Sequence, residues 1–191
     1  MKQTVKPVRE RIILDLCGGT GAWSKPYKDA GYDVRVITLP GTDVRTYEPP
    51  EGVYGILAAP PCTHFSLSGA QYWKTKDADG RTFEDVSILT ACLMIIAKAK
   101  PKFWAIENPV GRMKKLLGEP NHKFDPCDYG DAYTKKTLLW GEFNIPIKNR
   151  VEPIRATKQG SWLQKLGGNS DKKLRSITPA GFAKAFKNSN L

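Results

Sequence analysis

The sequence predicts an α/β fold, a doubly wound and mostly parallel sheet within one domain over residues 1–191. Short apolar runs of strand length recur along the chain. A glycine-rich turn follows the first run, and a long segment of helical period separates two others, which is the order that parallel strands with crossover helices require.

Residues 11–16, Arg-Ile-Ile-Leu-Asp-Leu, read as a buried strand. Cys17-Gly18-Gly19-Thr20-Gly21-Ala22 follows, and residues 24–30 can form a helix. Strand, glycine turn and helix together bring backbone N–H groups close to a ligand, because a Cβ would block that approach and forbid positive φ. Residues 33–39 make a second strand ended by Pro40-Gly41, and residues 53–58 make a third. Pro60-Pro61 stops the third strand and fixes the chain in an extended turn, so Cys62 stands just beyond a strand's carboxyl end. The polar stretch from there to Gly80 is long enough to suggest a mobile loop over a site. Residues 83–98 carry Val86, Leu89, Leu93, Ile96 and Ala97 at helical spacing. A strand at 102–106 leads to Glu107-Asn108-Pro109 at its carboxyl end. A short helix at 112–117, a strand at 136–141 and a last helix opened by Thr178-Pro179 complete the reading.

Composition narrows the functional classes. Thirty Lys and Arg against 19 Asp and Glu give a formal charge of +11, and residues 141–191 hold ten of those cations against three acids. Such a surplus suits nucleic acid or another anionic surface. No apolar run nears the roughly 20 residues that span a bilayer, so no membrane role is expected. The basic start lacks an apolar run after it, which argues against a signal peptide and for the cytoplasm. The four cysteines, at 17, 62, 92 and 127, form no CxxC pair, so neither a zinc site nor a disulfide framework is expected.

Open α/β sheets bind ligands at the carboxyl ends of their strands. Three loops with chemically useful residues fall there: 17–22, Pro61-Cys62 and Glu107-Asn108. Cys62 on its rigid turn is a candidate nucleophile, with a small packed thiol as the alternative. His64 reads as a solvent-facing loop residue, and Trp23 and Trp104 read first as core.

The combination and order of these loops resemble the carbon-5 cytosine methyltransferases. Residues 14–23, Leu-Asp-Leu-Cys-Gly-Gly-Thr-Gly-Ala-Trp, are similar to that family's cofactor loop, with Cys17 where phenylalanine is usual. Asp43-Val44 is similar to its adenine-contacting aspartate. Pro60-Pro61-Cys62-Thr63-His64-Phe65-Ser66 resembles the Pro-Cys-Gln nucleophile motif, and Glu107-Asn108-Pro109 the Glu-Asn-Val motif. Residues 175–179, Arg-Ser-Ile-Thr-Pro, are similar to its Arg-x-Leu-Thr-Pro element.

The resemblance implies a Rossmann-like fold of the S-adenosylmethionine-dependent methyltransferase type and S-adenosyl-L-methionine as cofactor. Asp15, Cys17, Gly18, Gly19, Gly21, Ala22, Trp23, Leu39, Asp43 and Val44 would bind it. Cys62 and Glu107 would be catalytic, with Pro61, Ser66, Asn108, Lys135 and Thr137 on the substrate, and no metal. The substrate would be a cytosine in DNA, flipped out or already single-stranded. RNA is the alternative, as is a non-catalytic nucleic-acid-binding subunit that needs a partner. Three departures stand out. Leu39 occupies the place of the family's ribose-binding acid, and Lys135 that of an arginine. About thirty residues separate Gly141 from Arg175, too few for a large target-recognition domain, which leaves 141–191 as a basic segment in its stead. The small size suggests a phage gene acting in the host cytoplasm.

Overall fold

The structure, a computed structural model, describes residues 7–157, 160–161 and 176–191. Its frame is a six-stranded sheet ordered β2-β1-β3-β4-β6-β5. The strands are β1 (Ile12–Leu16), β2 (Asp33–Ile37), β3 (Val53–Ala58), β4 (Phe103–Pro109), β5 (His122–Phe124) and β6 (Thr137–Glu142). A separate two-residue-register hairpin pairs β7 (Arg155–Thr157) with β8 (Gly160–Ser161). The helices are α1 (Lys25–Asp29), α2 (Trp73–Ala78), α3 (Arg81–Ala99), α4 (Lys114–Leu117) and α5 (Ala180–Ser189).

The period-two alternation of the strands sends side chains to two cores. Leu14, Leu16, Ile56, Ala58, Ile106 and Leu138 meet Leu89, Cys92, Ile95 and Ile96 of α3 on one face. Ile13, Leu57, Ala105 and Leu139 meet Tyr27 of α1 and Phe182, Ala183 and Phe186 of α5 on the other. Helices thus cover both faces, as a doubly wound sheet requires. The sheet is mixed, with one strand running against the other five. β1, β2, β3 and β4 pair in parallel, but β6 lies antiparallel between β4 and β5. An apolar run specifies a strand and not its direction. Here the chain returns from β5 without a crossover helix, and that return fixes β6 antiparallel.

Other expectations need correction. Glu107 and Asn108 lie inside β4, opposite Leu139 and Leu138 of β6, rather than in a loop beyond it. The stretch after Cys62 is not an open loop, since a 3-10 helix at Leu67–Tyr72 leads straight into α2. Pro179, rather than Thr178, is the N-cap of α5. Arg175 and most of the cations at 155–175 lie outside the described residues.

The chain leaves β1 for β2 on one side and then crosses to β3 on the other, so β1 and β3 border the switch point of the sheet. The glycine turn and the Cys62 turn both emerge at that point, beyond the strands' carboxyl ends, where open α/β sheets bind ligands.

Phe182 is fully buried and stacks on Phe124 with ring centroids 4.0 Å apart. Phe182→Ala should therefore cost about 3–5 kcal/mol in a urea unfolding titration. A loss below about 1 kcal/mol would show that α5 is not part of this core.

Candidate active site

The first loop is built around a buried acid. Asp15, fully buried, accepts from Ser24 Oγ through Oδ2 at 2.5 Å, while Oδ1 has no partner. A Cβ on Gly18 would lie 2.4 Å from the Asp15 carboxyl carbon, so that glycine is required by the aspartate beneath it. Gly19 differs: its φ is +54° and nothing lies within 4 Å of where its Cβ would be. Burial raises the Asp15 pKa to about 6, against the opposing pull of the Ser24 hydrogen bond. A cofactor that brings a cationic N–H donor would satisfy Oδ1, and open space over Gly19 leaves room for one. The residues fit S-adenosylmethionine, whose amino acid end carries an ammonium, to that extent.

The remaining cofactor-side residues are placed variously. Gly21 (φ +70°) and Ala22 complete the turn, half-buried. Cys17 adopts φ +56°, and its thiol bonds that of Cys92 on α3, which lowers the Cys17 pKa. Trp23 packs its ring into the core against Phe182 and Phe186, leaving Nε1 buried and unpartnered. Val44 is buried, and Leu39 is 62 % exposed. Asp43 caps the 3-10 helix Val44–Thr46, and both its carboxylate oxygens accept from Arg45.

The second loop carries Cys62. Phe65 and Ser66 both donate backbone N–H groups to the Cys62 carbonyl, at 3.1 and 2.8 Å, which coils residues 62–66 into one tight turn. Cys62 itself is exposed, yet the protein mass around its sulfur removes enough water to push the thiol pKa up. The Glu107 carboxylate pushes it the same way, and the Lys135 ammonium opposes. Glu107 is likewise raised by burial and pulled back by Lys135. Each of the two acids thus feels the Lys135 charge; Glu107 lies on β4, Cys62 in the turn after β3 and Lys135 just before β6. Asp85, at 4 % exposure, is felt by both Cys62 and Cys17, so the two loops share a neighbourhood.

Several further residues shape this turn, and of these sequence reasoning did not single out Lys76, Asp85 or Arg112. Asn108, buried, donates Nδ2 to the Pro60 carbonyl at 2.9 Å, and its Oδ1 has no partner. Lys76 donates to the Thr63 carbonyl at 2.9 Å, and Asp85 Oδ2 accepts from the His64 backbone N–H at 3.0 Å. His64 Nδ1 stands 2.8 Å from the same oxygen without making a hydrogen bond, and its side chain is 14 % exposed, so His64 is tucked against Asp85 rather than solvent-facing. Arg112 Nε donates to the His64 carbonyl at 2.8 Å. Ser66 bridges to Gly111 and shares a 2.9 Å hydroxyl contact with Ser68. Thr137 Oγ1, buried, donates to the Lys135 carbonyl at 2.8 Å and so fixes that lysine's backbone. Pro61 is half-buried between Pro60 and Cys62. Local sequence carries no signal for Lys76, Asp85 or Arg112, because each partner lies 13 to 48 residues away.

No family model matches the chain, and no curated protein matches it. Among solved structures it is similar to a prophage-encoded E. coli protein that carries the provisional name of DNA modification methyltransferase. Identity is 18 % and the TM-score 0.49. The match covers 76 % of this chain and 53 % of that one, so this chain spans about half of the protein it resembles.

The Asp15 shift fixes a pH dependence. A carboxyl raised to about 6 when folded, against an unfolded value near 3.9, costs stability above pH 6, and that cost disappears below pH 4. Asp15→Asn carries no such penalty. Its stability relative to the parent should fall by something on the order of 3 kcal/mol as the pH drops from 7 to 4. Urea titrations across that range would show a flat difference if the carboxyl is not raised.

Proposed function

We propose that the protein methylates carbon-5 of cytosine in DNA through a transient covalent bond from Cys62. What supports this reading is that the turn of Cys62 is joined to the strand of Glu107, by Asn108 to the Pro60 carbonyl and by Arg112 to the Phe65 carbonyl, with the Lys135 charge bearing on both groups. Carbon-5 of cytosine is a poor nucleophile. A thiolate that adds at carbon-6 opens the 5,6 double bond, and a proton supplied at ring N3 takes up the electron demand. Cys62 makes the carbon–sulfur bond, and Glu107, kept protonated to higher pH by its burial, donates at N3. S-adenosylmethionine, when bound over the turn at 17–22, supplies an electrophilic methyl. Carbon-5 takes that methyl as its bond to the sulfonium breaks; a base then removes the carbon-5 proton, Glu107 takes back the N3 proton, the double bond reforms and the Cys62 thiolate leaves.

With Glu107 neutral, its opposition to the Cys62 thiolate vanishes, while the Lys135 ammonium still favours that thiolate. Asn108 and Thr137 serve by holding the two turns, while Pro61, Ser66 and Lys135 border the base. DNA phosphates suit the +11 charge. The basic residues of 141–191 stand in for a recognition domain, so the sequence context read should be short, unless a partner subunit adds to it.

DNA bearing 5-fluorocytosine tests the covalent step, because fluorine cannot leave as the proton does. The protein should form an adduct stable to denaturation. Cys62→Ala should lose it, while Cys17→Ala, Cys92→Ala and Cys127→Ala should keep it. An adduct that survives in Cys62→Ala refutes the assignment, and an adduct formed only on RNA moves the substrate to RNA.

Glu107→Gln separates the two effects of that carboxyl. Loss of the N3 proton should slow single-turnover methyl transfer about 10²–10⁴-fold. Loss of the negative charge should instead shift the pH profile of Cys62 alkylation by iodoacetamide toward lower pH. A rate within a few-fold of the parent would remove Glu107 from the chemistry.

A further inference from the structure

We propose that Arg112 is the positioning residue that sets Cys62 against Glu107. The consequence for catalysis rests on the methyl-transfer reading, but the clamp itself does not. Arg112 stands three residues beyond the end of β4, the strand that carries Glu107. Its backbone N–H donates to the Phe65 carbonyl at 2.9 Å and its Nε to the His64 carbonyl at 2.8 Å, so it grips two consecutive carbonyls of the nucleophile turn. The rest of the guanidinium is fixed in turn. Nη1 donates to Asp77 at 2.8 Å, Nη2 donates to the Thr82 hydroxyl at 2.7 Å, and the plane lies 4.8 Å from the Trp73 ring centroid.

The backbone around Arg112 is fitted to the same turn. A Cβ on Gly111 would stand 1.9 Å from the Phe65 carbonyl oxygen, and Leu67 N–H donates to the Val110 carbonyl at 2.9 Å. The strand of Glu107 and the turn of Cys62 are thereby joined as one piece, and Arg112 extends that joint to α2 and the start of α3. Its side chain is 13 % exposed, so water competes little for these bonds. A lysine has no planar fork and cannot reach the His64 carbonyl, Asp77 and Thr82 together. A nucleophile displaced by about 1 Å from its attack position can lose about 10²-fold in rate. That is the size of effect expected when Arg112 is lost.

The test uses Arg112→Ala and Arg112→Lys in the full chain, with folding checked by circular dichroism and melting. On 5-fluorocytosine DNA the single-turnover adduct rate should fall about 10²-fold in both. DNA affinity should stay within a few-fold of the parent. Guanidinium ion should restore a large part of the Arg112→Ala rate, and methylammonium should not. A folded variant whose adduct rate stays within a few-fold, or equal rescue by the two ions, overturns the proposal. Should Arg112→Ala fail to fold, Arg112→Lys carries the same arms except rescue.

Two readouts do not depend on methyl transfer: the Cys62 alkylation rate, and hydrogen exchange at the Phe65 and Ser66 amides that bond the Cys62 carbonyl. Both should change in each variant. If the parent forms no adduct, the methyl-transfer reading fails while these two still judge the clamp. Unchanged alkylation and exchange in a folded variant would then refute it.

Discussion

Gly111 can carry no side chain, because a Cβ there would meet the Phe65 carbonyl oxygen at 1.9 Å. That close approach is the constraint around which the site is arranged. It lets the segment after β4 run against the turn after β3, where Leu67 bonds Val110 and Arg112 bonds Phe65. Parallel pairing of β3 with β4 stops at Ala58 and Ile106. Beyond that point this joint, the Arg112 side chain on the His64 carbonyl and the Asn108–Pro60 hydrogen bond keep Glu107 and Cys62 in register. The antiparallel β6 does the complementary work on the far side, carrying β4 three residues further and bringing Lys135 in through Thr137.

Electrostatics explain why a lysine beside two acids belongs at this edge. A thiol and a carboxyl, both short of water, each resist ionising, and each makes the other's ionisation harder. One ammonium can offset a single negative charge there. Lys135 therefore eases the ionisation of either group, and ionising both together is the most costly state.

Much of the frame was legible in the sequence, because each central strand is an apolar run bounded by Gly or Pro. The third strand, 53–58, was read to the residue. Direction was not legible: the run before Gly141 looks the same parallel or antiparallel. The three residues of β5 are too short to stand out from their surroundings. The stretch after Cys62 misled for a different reason. Its polar composition reads as a mobile connection, yet Lys76 and Asp77 are polar because they reach Thr63 and Arg112. His64 looked solvent-facing until Asp85, 21 residues on, supplied its partner. In the glycine turn, Gly18 makes room for Asp15 beneath it, while Gly19 faces open space.

Lys76, Asp85 and Arg112 present a last physical question, since apolar packing would ordinarily be cheaper than drawing such charges out of water. Buried ion pairs seldom add net stability over well-packed apolar groups, and breaking one is costly. Their return is geometric. Apolar contacts are non-directional and tolerate sliding, whereas each of these side chains addresses one backbone atom at hydrogen-bond distance: Thr63 O, His64 N and His64 O. Three directional bonds on two successive residues leave the turn one conformation. The proline pair before it removes freedom from the other end. A packed core residue would need no such fixing, and a thiol that must meet one carbon atom would. The pattern of buried charge around Cys62 therefore fixes where this cysteine stands, which is what the proposed covalent step needs of it.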